Sequence, residues 1–274
     1  MINWYPGHMA KALREIKEKQ KLFDLFIIML DARIPLSSFN PEIFKIINQK
    51  PILFVATKLD KTNQEKSLKL LKSYEKYGKV IPCDLKAKNA YQKLNSAINF
   101  YYEKLKEKNL AKNKLTPALK CIVLGIPNVG KSTLINLLAK TRSTKVGNMP
   151  GVTKHEQWIN CKNYLLLDTP GILMPKIDSD ITGAKLAITN VIRIESLNLY
   201  EVIVEMYKLI SNQAPYVLQK INLLPAFDEE NVFIQINQYA IANNIVKQKG
   251  EIDLDKAINL LIKFFQNLDN IIYD

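Results

Sequence analysis

The stretch Gly125-Ile126-Pro127-Asn128-Val129-Gly130-Lys131-Ser132 decides the fold, because it matches the phosphate-binding loop pattern G-x-x-x-x-G-K-[ST]. The apolar run 119–124 before it predicts a strand, and residues 133–140 after it predict a helix. In this arrangement the glycines let backbone N–H groups point at phosphate oxygens, and the helix N-terminus favours negative charge. Nucleotide contacts are therefore expected from Asn128, Val129, Gly130, Lys131, Ser132 and Thr133.

Three side chains at this site have distinct expected roles. Lys131 would reach the β- and γ-phosphates, and the Ser132 hydroxyl would bind Mg²⁺. Farther on, Asp168-Thr169-Pro170-Gly171 follows a second apolar run. The Asp168 carboxylate would hold the Mg²⁺ through water, and the Gly171 N–H would meet the γ-phosphate.

Between these two motifs lies Pro150-Gly151-Val152-Thr153. Thr153 is a candidate third ligand of Mg²⁺ when the triphosphate is bound, and a plain surface turn is the alternative interpretation. Four of the nine glycines of the chain fall inside these three motifs, at positions 125, 130, 151 and 171. That concentration favours a phosphate site over unrelated turns.

The base of the nucleotide is predicted from an earlier motif, Thr57-Lys58-Leu59-Asp60, which follows the apolar run 51–56 and matches [NT]-K-x-D. The Asp60 carboxylate can accept hydrogen bonds from N1–H and N2–H₂ of guanine. Adenine presents neither donor, so an ATP-using enzyme is disfavoured. The stem of Lys58 would lie over the base. Thr57 stands where Asn is more usual, and a weaker contact is expected there.

A second base-contacting segment is expected after the run 79–83. Asp84-Leu85-Lys86 stands where GTPases usually carry Ser-Ala-Lys, and only Lys86 matches. Leu85 and Lys86 are therefore added to the candidate guanine-nucleotide contacts.

Apolar runs and helical patterns alternate through the first part of the chain, which predicts βαβ units and a mainly parallel sheet. The part after about residue 175 shows only helical spacing. We expect an α/β P-loop domain over 1–175, followed by a small all-α domain over 176–274. Strands are expected at 24–31, 51–56, 79–83, 119–125 and 163–168. Helices are expected at 8–22, 41–49, 63–76, 89–109, 131–140, 185–192, 199–211, 230–243 and 253–268.

Charge is unevenly distributed over the 274 residues, whose formal net charge is +13. Residues 1–175 carry 30 basic against 13 acidic side chains, whereas 176–274 carry nine against 13. The basic part suggests RNA as a partner. Only four of the basic residues are arginine, however, so a general bias of the composition towards lysine is the alternative explanation of the charge. No run is long enough to span a bilayer, and three scattered cysteines fit neither disulfides nor a metal site, so a cytoplasmic location is expected. We also expect a monomer in solution.

The base motif precedes the phosphate motifs, which is the reverse of the order in ordinary small GTPases. Together with Trp4-Tyr5-Pro6-Gly7-His8-Met9, this order resembles the circularly permuted GTPases of the YlqF type, the ribosome biogenesis GTPase A family. The likeness extends through Asp168-Thr169-Pro170-Gly171-Ile172-Leu173-Met174-Pro175 and Lys185-Leu186-Ala187, and so covers essentially the whole chain.

The resemblance implies a GTPase that acts in late assembly of the bacterial large ribosomal subunit. It would bind the pre-ribosome and its RNA in the GTP state, with GTP/GDP and Mg²⁺ at the loop. The family places its helical C-terminal domain against the ribosome. Because that domain is net acidic here, we favour RNA contacts from the basic first domain. Another RNA client (transfer RNA or the small subunit) and an RNA-binding module with little catalysis stay as alternatives.

Two histidines are candidates for the group that orients the attacking water. Many GTPases use a Gln directly after D-x-x-G, but this chain has Ile172 there, which cannot hydrogen-bond water. The resemblance points to His8, and His155 is the competitor because it lies just after Thr153. Asn128 resembles the loop residue of GTPases that use K⁺ as a charge-stabilising ion, so K⁺ is a second candidate cation.

Overall fold

The computed structural model describes residues 9–47, 49–139, 145–146, 158–168, 177, 179–195, 197–248 and 250–274. They form two compact units. The sheet unit comprises the described residues of 6–60 and 64–175, and the helical unit comprises 61–63 with the described residues of 176–274. No helix among the described residues is both long enough and apolar enough to cross a membrane.

Seven strands of the described residues form one sheet in the order β3-β2-β1-β4-β7-β6-β5. The first five strands in that order run parallel, and β6 and β5 add an antiparallel edge. The strands are β1 (Leu25–Asp31), β2 (Ile52–Thr57), β3 (Lys79–Pro82), β4 (Leu119–Gly125), β5 (Lys145–Val146), β6 (Trp158–Asn160) and β7 (Tyr164–Asp168).

Strands β1 and β2 are buried along their whole length. Parallel strands covered on both faces favour apolar side chains on both faces, which is why both sequences are continuous apolar runs up to their last residues, Asp31 and Thr57. The first helix of the sheet unit precedes β1, and the other four lie in the connections between successive parallel strands. They are α1 (Met9–Lys19), α2 (Glu42–Ile47), α3 (Gln64–Leu71), α4 (Ala90–Leu110) and α5 (Lys131–Ala139).

An aromatic group fills the core beside β2. The Phe39 ring lies 5.4 Å from that of Tyr74, and the Phe54 ring lies 5.0 Å from Tyr74, centroid to centroid. The buried Tyr74 hydroxyl donates to the Pro35 carbonyl at 2.9 Å, so its polar atom is paired.

The helical unit contains α6 (Asp180–Ile188), α7 (Leu199–Gln213), α8 (Pro215–Gln219), α9 (Glu229–Ala242) and α10 (Leu254–Gln266). Four of these helices begin with a side chain that accepts from a backbone N–H of the first turn, which satisfies a donor left open by the helix. The caps are Ser179, Asn198, Asp228 and Asp253. The apolar stripe of α10 is buried at Ala257, Ile258, Leu261 and Phe265.

The predicted α/β class with a mainly parallel sheet and a helical C-terminal region is confirmed. The sequence prediction missed β5, β6 and α8. These elements have two, three and five residues, too few to show a period of either strand or helix.

Candidate functional site

The candidate site lies where the carboxyl ends of adjacent parallel strands meet. Asp31 of β1 is the register partner of Thr57 of β2, and Met29 of β1 is the partner of Gly125 of β4. The crevice at this edge of an open parallel sheet is where such folds bind ligands. The base motif and the phosphate loop, which are far apart in sequence, therefore begin on either side of the end of β1.

The phosphate loop leaves β4 at Gly125 and enters α5 at Lys131. A Cβ on Gly125 would stand only 2.9 Å from the Met29 carbonyl oxygen, so no larger residue fits there. Gly130 has φ +104° and Asn128 has φ +57°, which fold the backbone back towards the start of the helix. Leu134 N–H donates to the Gly130 carbonyl at 2.9 Å and forms the first turn of α5.

The Lys131 ammonium lies over this loop. Its Nζ donates to the carbonyl oxygens of Gly125 at 3.1 Å and Ile126 at 3.0 Å. Ser132 and Thr133 follow in the first turn of α5 and are exposed. The loop thus carries one cation, two hydroxyls and a helix N-terminus, which together suit a polyphosphate.

Thr57 joins the base motif directly to the phosphate loop. Its buried hydroxyl donates to the Val129 carbonyl oxygen at 2.6 Å and lies 3.3 Å from the Leu30 carbonyl oxygen. Thr57 thus makes a short bond to the loop, and the weaker contact expected for threonine in place of asparagine stays a prediction.

The rest of the base motif turns sharply after β2. Lys58 has φ +59°, and its ammonium lies 2.9 Å from Oδ2 of Asp31. Leu59 and Asp60 enter a 3-10 helix over Leu59–Lys61, where Asp60 is exposed. The sequence motifs did not identify Asp31, although a carboxylate at the end of a fully apolar strand was a signal available from the sequence.

The second base-contacting segment forms a turn after β3. The Asp84 carboxylate accepts from Lys86 N–H at 2.9 Å, and the Asp84 carbonyl accepts from Ala87 N–H at 3.1 Å. Leu85 packs beside the phosphate loop, since its Cδ1 lies 3.2 Å from the point where a Cβ on Gly130 would be. Leu85 is thereby brought next to the loop, and Lys86 follows it in the turn.

Comparisons with known proteins agree with this geometry. Residues 120–238 match the family profile described as 50S ribosome-binding GTPase. The chain is 38% identical over 267 residues to ribosome biogenesis GTPase A of Bacillus licheniformis, which covers 96% of this chain and 93% of the relative. It is 32% identical over 262 residues to the probable ribosome biogenesis GTPase A of Mycoplasma genitalium, covering 95% and 91%.

The chain belongs to the ribosome biogenesis GTPase A family. It is accordingly a GTPase, and the predicted family and enzyme class are confirmed. The GNP-bound crystal structure of YlqF from T. maritima has the same fold, with a TM-score of 0.65 at 22% identity and coverage of 93% of both chains.

GTPases of this kind use Mg²⁺, and Ser132 is the described side chain that suits it. Ser132 offers a hydroxyl at the helix start, and β7 pairs beside β4 so that Asp168 is the register partner of Val123, two residues before Gly125. Hydroxyl and carboxylate oxygens are the ligands that Mg²⁺ prefers.

Several predicted site residues lie outside the described residues: His8, Thr153, His155 and Gly171. Asp168 ends β7, but its side chain is likewise outside the description. The structure therefore brings together the base motif, the segment at 84–86 and the phosphate loop.

Proposed function

We propose that this GTPase couples GTP hydrolysis to late assembly of the large ribosomal subunit. The observation that carries the GTP-dependent part of the proposal is the 2.6 Å hydrogen bond from Thr57 to Val129, which ties the guanine motif to the phosphate loop. A base-reading segment and a phosphate-reading segment joined in this way form one guanine-nucleotide site.

The nucleotide would be recognised at both ends. At the base, the exposed Asp60 carboxylate accepts from N1–H and N2–H₂ of guanine, and the Lys58 stem, Leu59, Leu85 and Lys86 border the ring. At the phosphates, backbone N–H groups of 128–133 donate to phosphate oxygens. Lys131 exchanges its two carbonyl acceptors for oxygens of the β- and γ-phosphates.

Ser132, Thr153 and Asp168 are the residues proposed to hold Mg²⁺, and Gly171 is proposed to meet the γ-phosphate. When bound, Mg²⁺ supplies positive charge that offsets the charge developing on the transferred phosphoryl group. The chain itself aligns the triphosphate through the loop backbone and Lys131. Ser132→Ala should raise the Mg²⁺ concentration needed for half-maximal hydrolysis.

For the attacking water we propose His8, with His155 as the competitor. The reason is that Ile172 occupies the position after D-x-x-G and cannot hydrogen-bond water. His8→Ala should abolish ribosome-stimulated hydrolysis while leaving GTP affinity unchanged. If His8→Ala hydrolyses GTP at the parent rate and His155→Ala does not, the role passes to His155.

A potassium ion is proposed at Asn128, an exposed residue of the loop with φ +57°. The ion would add positive charge beside the phosphates. Equal hydrolysis rates in potassium and sodium buffers would eliminate this part of the proposal.

The large-subunit client is proposed from the relatives, whose names describe ribosome biogenesis GTPases, and from the charge of the sheet unit. Residues 64–114 carry 13 lysines against five acidic side chains. In this segment the half-exposed Phe100 ring has Lys104 Nζ at 4.4 Å and Lys79 Nζ at 5.2 Å from its centroid. Aromatic rings flanked by cations suit stacked RNA bases and their phosphates.

Hydrolysis by the purified protein, alone and with large or small subunits, tests the proposal. Stimulation by the large subunit alone is expected. Stimulation by the small subunit or by transfer RNA would favour the other RNA clients. Binding of GTP without hydrolysis under all conditions would favour the RNA-binding module.

A competition assay tests the base specificity. Displacement of bound GTP by ATP at equal concentration would contradict the role of Asp60.

A cytoplasmic location is proposed because a ribosome-assembly factor meets its client there. The monomeric state stays a prediction, which the mass measured by light scattering would test.

A further inference from the structure

Asp31 stands at the end of β1 as a buried acid among basic partners. Its side chain is fully buried, and both of its oxygens are used. Oδ1 accepts from the backbone N–H and the Nε of Arg33, each at 3.0 Å. Oδ2 accepts from Nη2 of Arg33 at 2.8 Å and from Nζ of Lys58 at 2.9 Å.

This acid is itself held in one orientation. The Asp31 backbone N–H donates to the Ser38 hydroxyl at 3.1 Å, and the Arg33 guanidinium binds the carboxylate through two of its nitrogens. A bidentate guanidinium fixes the plane of a carboxylate. The oxygen that faces Lys58 therefore has a defined position.

Lys58 belongs to the guanine motif, and its backbone conformation is energetically unfavourable. Its φ of +59° lies in the left-handed region, which a lysine adopts only when surrounding contacts impose it. The residue before it, Thr57, is bonded to Val129 of the phosphate loop. Lys58 thus follows a residue that is bonded to the loop, and its own ammonium is bound by Asp31.

We propose that Asp31 is a positioning residue for guanine recognition, because it anchors the Lys58 ammonium and so fixes the Lys58 stem where the base ring binds. The inference rests on the proposed guanine-nucleotide site. Asp31 touches neither the base nor the phosphates in this scheme and acts through Lys58.

The charge that this anchoring requires is present at neutral pH. Burial by itself raises the pKa of Asp31, but the hydrogen bonds and charges of Arg33 and Lys58 outweigh burial and leave the pKa below its usual value. The anchor is therefore a carboxylate across the physiological range.

A double-mutant cycle on nucleotide affinity tests the proposal. The variants are Asp31→Asn, Lys58→Met, which keeps an unbranched stem but loses the ammonium, and the double variant. Each single variant should raise the Kd for GDP about tenfold, and the double variant should bind no more weakly than Lys58→Met alone. Glu65→Gln is the matched control, since it removes a carboxylate from the exposed pair with Lys69, 2.9 Å apart, outside the site.

Two readouts separate positioning from a purely structural role. Inosine diphosphate lacks the N2 amino group, so Asp31→Asn should weaken GDP and IDP by the same factor, whereas Asp60→Ala should weaken GDP more than IDP. In steady-state hydrolysis, Asp31→Asn should raise KM with kcat unchanged. A lowered melting temperature with parent-like nucleotide affinity would overturn the proposal.

Additive effects of Asp31→Asn and Lys58→Met would also overturn it, because the acid would then act independently of the lysine. Lys58→Met keeps the test decisive even where Asp31→Asn does not fold, since parent-like GDP binding by Lys58→Met contradicts any anchoring role. The preference of the parent protein for GDP over ADP is measured first. Loss of that preference would contradict the guanine site itself, and the two failures are thereby distinguished.

Discussion

The hydroxyl of Thr57 donates a 2.6 Å hydrogen bond to the main-chain oxygen of Val129, although 72 residues separate the two positions. Both residues are buried, so water cannot replace this bond when it is lost. Through this bond the base motif and the phosphate loop fix each other's position.

Replacing Thr57 by valine should therefore weaken nucleotide binding. Valine keeps the shape but leaves the Val129 carbonyl unpaired, at a cost of about 1–3 kcal/mol. We expect lower thermal stability and a Kd for GDP that is raised about fivefold or more. Titration with a fluorescent GDP analogue measures the second effect. Thr57→Ser, which retains the hydroxyl, should bind as the parent does, and equal losses in both variants would refute the role of the bond.

Gly130→Ala should abolish tight nucleotide binding. Its φ of +104° is strained for alanine, and the new Cβ would press on Leu85 at 3.2 Å. Gly250→Ala is the matched control, because Gly250 also has a positive φ (+81°) but nothing within 4 Å. Isothermal titration with GDP should show unchanged affinity for Gly250→Ala, which loses only about 1 kcal/mol of stability. Parent-like affinity in Gly130→Ala would show that the loop tolerates a side chain there.

Phe100→Ala should weaken RNA binding if the sheet unit carries the RNA contacts. Loss of one stacked base costs about 1–3 kcal/mol. The helical unit provides the matched control in Tyr216, a half-exposed ring with Lys220 Nζ at 5.5 Å. Filter binding to large-subunit RNA should separate the two variants, with GDP affinity unchanged in both. A larger loss for Tyr216→Ala would move the contact to the helical unit.

Asp274→Asn should destabilise the helical unit. The Asp274 carboxylate is 2% exposed and lies 3.0 Å from the Lys185 ammonium of α6, which is 18% exposed. Breaking a mostly buried pair leaves one charge without this partner, at a cost of about 1–3 kcal/mol after allowance for the partial exposure of the lysine. Urea unfolding measures it. Asp269→Asn, at a side chain that is 67% exposed, should have an effect near zero, and similar losses in both variants would contradict the explanation.

The Cys161 thiol should react slowly in the folded protein. Burial raises its pKa from 9.0 to about 11, so at pH 8 the thiolate is about a hundredfold scarcer than in the unfolded chain. Because the neutral thiol is favoured on folding, the resulting stability is fully present below pH 9 and is lost as the pH rises towards 11. Iodoacetamide labelling followed by mass spectrometry should give a rate midpoint near pH 11 for this residue, and a midpoint near pH 9 would contradict its burial.

The sequence by itself determined the elements whose signal is local. The phosphate loop was visible because a strand, a glycine-rich turn and a helix follow one another within residues 119–139. The parallel sheet was predictable because β1 and β2 are apolar runs up to their last residues, which is typical of strands buried on both faces. Short elements such as β5, with two residues, have no period to detect and appear only through their pairing partners.

The tertiary structure alone decided which distant groups meet. Nothing in the sequence around Asp31 indicates that its carboxylate binds Lys58, because the parallel pairing of β1 with β2 is what places the two strand ends side by side. The same holds for residues 61–63, which follow the base motif directly but belong to the helical unit, where the Thr62 hydroxyl donates to the Ile271 carbonyl at 2.9 Å. Hydrogen bonds and ion pairs form between atoms about 3 Å apart. Which residues come that close depends on how the strands pair, and sequence separation does not predict it.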